Sequence, residues 1–347
     1  CDDFSAARNA ALEHATGDWI LVLDADEELP VEQHAKLLAD MKKADVIGYR
    51  LPLINRGHET GGRNFVPRFF RNAPGVCYAG RIHEQVFSSL LQSVKAWGLK
   101  ISFGTAEILH HGYTQELVRD RNKIGRNLKL LRQAVVENPT DANLMMNLGL
   151  ELVRSDDLAG GVEKYREAFE LMSTQAPEEL APELREVLLT QFTCHLYKLH
   201  AHEEVVRVLN SALAKQGEMT ASQHFVMGLS LFELKQYREA AEQMRQCVAK
   251  RNRPTVSPIN TDILTTAPNH CLALCLANAK DFAGAEKAFQ SALTKQGRLD
   301  DIKLDYAKFL AGQNRQVEAL QKLNELVAAN ARNVAAWRAV GEIALSR

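Results

Sequence analysis

DWILVLDADEEL, residues 18–29, runs from five apolar side chains straight into a group of four carboxylates. Trp19, Ile20, Leu21, Val22 and Leu23 make a short continuous apolar run, the pattern of a strand covered on both faces. Asp24 and Asp26 stand at its carboxyl end, where open α/β sheets place their ligands. Side chains alternate along a strand, so both aspartates are expected on one side of the sheet. Two convergent carboxylates suit a hard cation such as Mg2+ or Mn2+, which in turn takes phosphate oxygens. The plainer alternative is an acidic turn followed by a capped helix.

Outward from this stretch, the first third of the chain reads as α/β. Asp3 or Ser5 can cap a helix over AARNAALEHA. Gly17 stands where a left-handed residue would close that helix. A second helix is expected over VEQHAKLLADMKKA, with Pro30 tolerated in its first turn. The runs VIGYRLPLI, NFVPRFFRN and VCYAGRIHEQVF read as strands, with Gly57, Gly61, Gly62 and Gly75 in the turns between them. This order predicts a mostly parallel sheet with helices on its faces.

The whole chain has 347 residues, more than one compact core usually holds. A formal net charge of −1 gives no basic field, so nucleic acid is not an expected partner. No apolar run approaches the roughly 18 residues needed to cross a bilayer. None of the six cysteines forms a CxxC pair, and buried thiols in a reducing cytoplasm are expected. Cys271 and Cys275 would share a helix face, with His270 the one adjacent candidate for a zinc site.

From about residue 115 the pattern changes. Proline and glycine thin out, and hairpin-like units begin near Ala142, Glu186, Ala221, Thr266, Asp300 and Val334. The last three starts are 34 residues apart. TQAPEELAPELR and RNRPTVSPINTD read as inserted loops. This pattern resembles the tetratricopeptide repeat. Leu148 and Gly149 match its first helix. Ala240, Ala285 and Ala319 fall where two helices cross closely. Tyr165 and Phe289 match its second-helix aromatic, and Ala168, Ala212 and Ala292 the small residue after it. Trp337 and Gly341 open a further unit. Gly161 and Val205 replace the usual alanine, so those two hairpins are expected to pack less regularly.

The first part resembles the family 2 glycosyltransferases of the GT-A fold. DDFSAARNAALEHATGDWILVLDADEEL is similar to that family's central block, with its ARN helix, apolar strand and Asp-x-Asp. NFVPRFFRN, GRIHEQV and ILHHGY are similar to later segments of a bacterial branch, some of whose members carry tetratricopeptide repeats. The resemblance implies an α/β followed by all-α architecture. Residues 1–114 would be a partial GT-A, Rossmann-like domain, 115–141 a linker helix and 142–347 an α-solenoid of repeats. Such domains normally open with a strand–helix–strand segment that builds the nucleotide pocket. The resemblance implies that residues 1–114 lack that half, leaving the chain's own activity in doubt.

The resemblance further implies a metal-dependent inverting glycosyltransferase. It would move a sugar from a nucleotide-diphosphate donor to a glycan, lipid-linked or peptide acceptor. Asp24, Asp26 and His110 would hold Mn2+ or Mg2+, with His111 the alternative to His110. Glu84 would be the general base. Arg8 and Asn9 would line the donor side, and Arg68, Arg71 and Arg81 would meet diphosphate or acceptor. Arg68 and Arg71 are three apart, so on a regular strand they face opposite sides. Glu27 and Glu28 read as first-turn acids of the next helix. His83 reads as structural, His58 as solvent-facing, and Trp19 and Trp97 as core. A protein partner for the repeats, a homodimer and a cytoplasmic place, at or near the inner membrane face, complete the expectation.

Two alternatives stay beside it. The chain could be a repeat scaffold with an inactive catalytic remnant. A haloacid-dehalogenase-type phosphatase would want Thr or Val where Glu28 stands. An EF-hand is excluded, because Leu29 takes the place of its obligatory glycine.

Overall fold

The computed structural model describes residues 3–56, 64–80, 84–111, 121–177, 180–294 and 299–345. Arg81, His83 and His58, named above, lie outside the described residues. By contacts the chain divides into two compact units, Cys1–Glu218 with Pro254–Ile259, and Met219–Arg253 with Asn260–Arg347.

The first unit opens with α1 (Phe4–Glu13), capped by the Asp3 carboxylate, which accepts from the Ala6 amide at 3.0 Å. The helix closes at His14 with ordinary αR backbone, and Gly17 keeps a negative φ, so the expected left-handed stop is not used. Strands β1 (Trp19–Leu21), β2 (Glu27–Glu28), β3 (Val46–Asn55), β4 (Asn64–Arg71), β5 (Lys100–Phe103) and β6 (Ile108–His110) form one sheet in the order β1-β4-β3-β6-β2, with β5 also on β3. A short 3-10 turn after Pro30 leads into α2 (His34–Met41), and α3 (Phe87–Trp97) precedes β5.

The sheet is mixed, not mostly parallel. β1–β4, β3–β4 and β2–β6 are antiparallel, while β5 and β6 run parallel to β3. The central strand is β3. Its first seven residues are buried, because α2 covers one face and α3 the other. Leu37, Tyr49, Leu51 and Phe69 pack on the α2 side, and Ile47, Phe70, Val86 and Leu90 on the α3 side. The apolar run at 19–23 is only half-buried, since β1 pairs with β4 alone among the described strands. Its continuous hydrophobicity signalled a double layer without signalling its position in the sheet. The run VCYAGRIHEQVF is no strand in its described part. It carries one bridge, Ala79 with Gln85, before α3 begins. Trp19 joins the core, stacked on Phe69 at 4.7 Å, whereas Trp97 ends α3 about half exposed.

Helices α4 (Arg121–Glu137), α5 (Ala142–Arg154), α6 (Leu158–Thr174), α7 (Pro182–Lys198), α8 (His202–Leu209) and α9 (Ala212–Lys215) complete the first unit. The second contains α10 (Ala221–Glu233), α11 (Tyr237–Lys250), α12 (Thr261–Leu264), α13 (Ala267–Asn278), α14 (Phe282–Leu293), α15 (Leu299–Gly312), α16 (Gln316–Ala329) and α17 (Val334–Leu345). The hairpins start close to the positions the sequence spacing predicts. Part of the first expected loop is helical, because Pro182 opens α7.

Each described hairpin turns on a non-glycine residue with positive φ: Asp156, His200, Lys235, Lys280 and Asn314, at 58–68°. Ala240, Ala285 and Ala319 are fully buried at the crossings, as are Tyr165 and Phe289 beside them. At Gly161 the expectation of looser packing is overturned. A Cβ there would meet the Gly149 carbonyl oxygen at 2.8 Å, so two glycines let α5 and α6 cross more closely than alanine would. The Val205 hairpin is irregular, since its second helix stops at Leu209 and Ser211 caps a new turn. Burial pushes the thiols of Cys247 and Cys275 up to about 12, in keeping with inert core residues. No helix among the described residues is long and apolar enough to cross a membrane.

Candidate functional site

Four elements bring charged groups together at one end of the sheet. Arg8 projects from α1, Asp24 from the turn after β1, Glu27 from β2 and Arg68 from β4. Glu84, just before α3, completes the group. Arg8 donates from Nε to Glu84 and from a terminal nitrogen to Asp24 Oδ1 at 2.7 Å. Arg68 donates to the other Asp24 oxygen and to Glu27 Oε1 at 2.6 Å. Asp24 is thus shared by two guanidinium groups, each of which holds a second carboxylate.

Local structure explains the convergence. Asn9 grips the backbone of Tyr78 twice, donating to its carbonyl at 2.9 Å and accepting from its amide at 2.7 Å. That grip holds Tyr78 on α1, and the Ala79–Gln85 bridge beside it places Glu84 within reach of Arg8. The Asn9 amide is thus a bracket for the Tyr78 backbone. The Glu27 carboxylate, only 2% exposed, also accepts from the Asp24 amide at 2.9 Å and shapes the acidic turn.

Charge reinforces the cluster. Burial works against the Asp24 carboxylate, but the Arg8 hydrogen bond and the field of Arg68 outweigh it and hold Asp24 below its usual range. Burial likewise opposes the Arg8 cation, and its bonds to Glu84 and Asp24 hold it above its usual range.

Asp26 lies apart from this group, beside His110. β2 pairs with β6 so that Glu27 stands opposite His110, and the His111 amide donates to the Asp26 carbonyl at 2.8 Å. His110 Nε2 is 3.3 Å from Asp26 Oδ2, while its Nδ1 is 2.9 Å from the Asn55 amide oxygen. With a cation between the two side chains, Nδ1 would donate to Asn55 and Nε2 would turn its lone pair to the ion, as in a ligating histidine with an oriented second nitrogen. His111 instead meets Glu28 at 3.0 Å. No three His, Cys, Asp or Glu side chains among the described residues are close enough to chelate an ion unaided. An imidazole and a carboxylate fit a cation whose remaining ligands are water and phosphate oxygens.

Two corrections follow. Arg71 does not join the cluster. It donates to the carbonyls of Val46 and Lys43 and lies over the Trp19 ring at 4.7 Å, because strand alternation turns it from Arg68. Glu27 and Glu28 are not first-turn helical acids. They form β2, and Glu27 is a buried member of the site. The missed signal was the glutamate's place directly after Asp-x-Asp, where a backbone turn returns it beneath Asp24.

Residues 2–114 match the family described as Glycosyl transferase family 2. A TPR repeat-containing protein of Synechococcus elongatus is 36% identical over 163 residues, covering 45% of this chain and 40% of that protein. The prophage-derived glycosyltransferase SunS of Bacillus subtilis is 24% identical over 156 residues, covering 44% of this chain and 35% of its own. This chain therefore spans well under half the length of these curated relatives. Among solved structures, YrrB, described as a TPR protein with an unusual peptide-binding site, aligns at 17% identity and TM-score 0.48, over 61% of this chain and 98% of its own. Over residues 2–114 the chain is similar to glycosyl transferase family 2, and paired helices with the spacing of tetratricopeptide repeats follow.

Proposed function

We propose that the chain serves a metal-dependent, inverting glycosyltransferase, taking a sugar from a nucleotide-diphosphate donor, with its repeats engaging the acceptor or a protein partner. The observation that carries this reading is the double bridge of Arg8 to Asp24 and Glu84, which sets a base candidate beside the Asp-x-Asp turn. Asp26 and His110 would hold Mn2+ or Mg2+, while Arg8 and Arg68 keep Asp24 in the neighbouring charged cluster. The bound cation would neutralise the departing diphosphate.

The chain's own groups supply the rest. Glu84 takes the proton of an acceptor hydroxyl as that oxygen bonds to the anomeric carbon. The bond from that carbon to the diphosphate oxygen breaks, the diphosphate leaves with the electron pair, and the centre inverts. Arg8 and Arg68 hold Asp24 and Glu84 in place and bring positive charge to the donor side.

Glu84→Gln keeps the shape and removes the base. Transfer is expected to fall by about a hundredfold or more, with binding of the nucleotide and Mn2+ unchanged. Transfer at the wild-type rate would remove Glu84 from the mechanism. The capping of Glu84 by Arg8 also suits a second reading, a repeat scaffold beside an inactive sheet. Absence of transfer from the wild-type chain with any sugar nucleotide would favour that scaffold.

A further inference from the structure

Beside the charged cluster lies a cavity of about 520 Å³, inside the roughly 300–1,000 Å³ range of ligand pockets. Arg8, Arg68 and Glu84 stand on its wall, so it is continuous with the candidate site. The sheet side contributes Phe65 and Val66 of β4 and Phe87 of α3. The opposite wall comes from repeat helices: Leu144 of α5 and Leu184 and Val187 of α7. All of these residues belong to the first unit.

The arginines described on the wall of this cavity already hold carboxylates. Arg8 and Arg68 are bound to Asp24, Glu84 and Glu27. Arg50, deep in β3 and 7% exposed, pairs with Glu183 of α7 and lies over Phe87 at 4.8 Å and Phe103 at 5.3 Å. Among the described residues each of these three arginines already holds a carboxylate, and of their buried nitrogens only Arg68 Nε is left without a partner, so an anionic acceptor such as a lipid phosphate would have to displace an existing ion pair. The apolar walls suit a free glycan poorly, because its hydroxyls require partners on every side.

Two side-chain oxygens of cavity residues, Asn64 Oδ1 and Glu183 Oε2, are buried with no hydrogen-bond partner in the structure. Such oxygens call for N–H donors and the unpartnered Arg68 Nε for a carbonyl, both of which a peptide backbone supplies and a hydrocarbon chain does not.

We propose that this cavity receives the acceptor, and that the acceptor is an uncharged polypeptide segment. It presents a hydroxyl to Glu84 and an apolar side chain to Leu184 and Val187. Repeat helix α7 then selects the substrate, and Arg50 with Glu183 ties that helix to the central strand. The hydroxyl's role rests on the glycosyl-transfer reading; binding of the segment does not.

The test uses the 347-residue chain and a pooled library of acetylated, amidated pentapeptides with serine at the centre. Retained peptides are expected to be enriched in Phe, Leu, Ile or Met beside the serine and depleted in Asp and Glu. Retention should weaken by about tenfold or more in Leu184→Arg and in Val187→Arg, and persist in Asp26→Ala. A benzophenone-bearing version of the winning peptide, used on the unsubstituted protein, should crosslink to β4, α3 or α7.

No enrichment overturns the proposal. So do crosslinks confined to the second unit, and stronger retention of undecaprenyl phosphate or a maltooligosaccharide at the same crosslinked residues. Peptide retention here without metal-dependent nucleotide binding would uphold the peptide site and defeat glycosyl transfer. Nucleotide binding without peptide retention would do the reverse.

Discussion

Arg8→Ala is expected to lower transfer by about a hundredfold or more and to destabilise the first unit by about 2 kcal/mol. Among the described residues Arg8 is the one cation shared by Asp24 and Glu84. Removing one partner of a fully buried pair costs about 3–5 kcal/mol. The Glu84 side chain is 14% exposed but that of Asp24 is 40% exposed, and solvent screening reduces the figure accordingly. Urea unfolding of the two proteins measures the stability, and initial rates measure the transfer. Arg8→Lys restores the charge without the fork that spans two carboxylates, so part of the stability should return and little of the rate.

The pH dependence has a definite sign. The Asp24 carboxyl is held below its ordinary value of 3.8 in the folded chain. Its contribution is fully present above the unfolded value and is lost as pH falls through the folded one. The advantage of wild type over Arg8→Ala should therefore be constant near neutrality and shrink below pH 3.8. An advantage that grows on acidification would contradict the ion-pair account.

Gly161→Ala is expected to destabilise the first unit by about 1–2 kcal/mol, although alanine is the better helix former by about 1 kcal/mol. The added Cβ would lie 2.8 Å from the Gly149 carbonyl oxygen and 2.5 Å from Val153 Cγ2. The backbone oxygen cannot rotate away, so α5 and α6 must separate, and lost packing around Tyr165 outweighs the propensity gain. Gly341 is the contrasting case. Nothing lies within 4 Å of its Cβ position, so Gly341→Ala should stabilise the second unit by about 1 kcal/mol. Thermal unfolding of both variants checks the opposite signs; a stabilised Gly161→Ala would mean that the crossing is looser than described.

Much of this architecture was legible because its causes are local. The repeat starts follow from helical periodicity and from alanines at the crossings. The α1 cap follows from Asp3. The separation of Arg68 from Arg71 follows from their odd spacing on a strand. What stayed hidden depends on pairing across the chain. β1 reads as a continuous apolar run and β3 as a strand interrupted by Arg50, and nothing within either says that β3 is central. Glu27 looked like a helix-start acid because the pairing of β2 with β6, which pulls it into a strand, joins residues far apart in sequence. The bond of Asn9 to the Tyr78 backbone stayed hidden because Tyr78 arrives from a segment distant in sequence. The site's residue types were readable, while their division into a charged bracket and an Asp26–His110 pair was a product of the fold.

The central claim is that Asp26 and His110 hold a divalent cation that brings a sugar nucleotide to this cluster. Calorimetric titration of Mn2+ into the chain, with and without a UDP-sugar or GDP-sugar, tests it directly. Metal-dependent binding of one of these nucleotides is predicted, weakened by about tenfold or more in Asp26→Ala. Binding that needs no metal, or that is unchanged in Asp26→Ala, would contradict it.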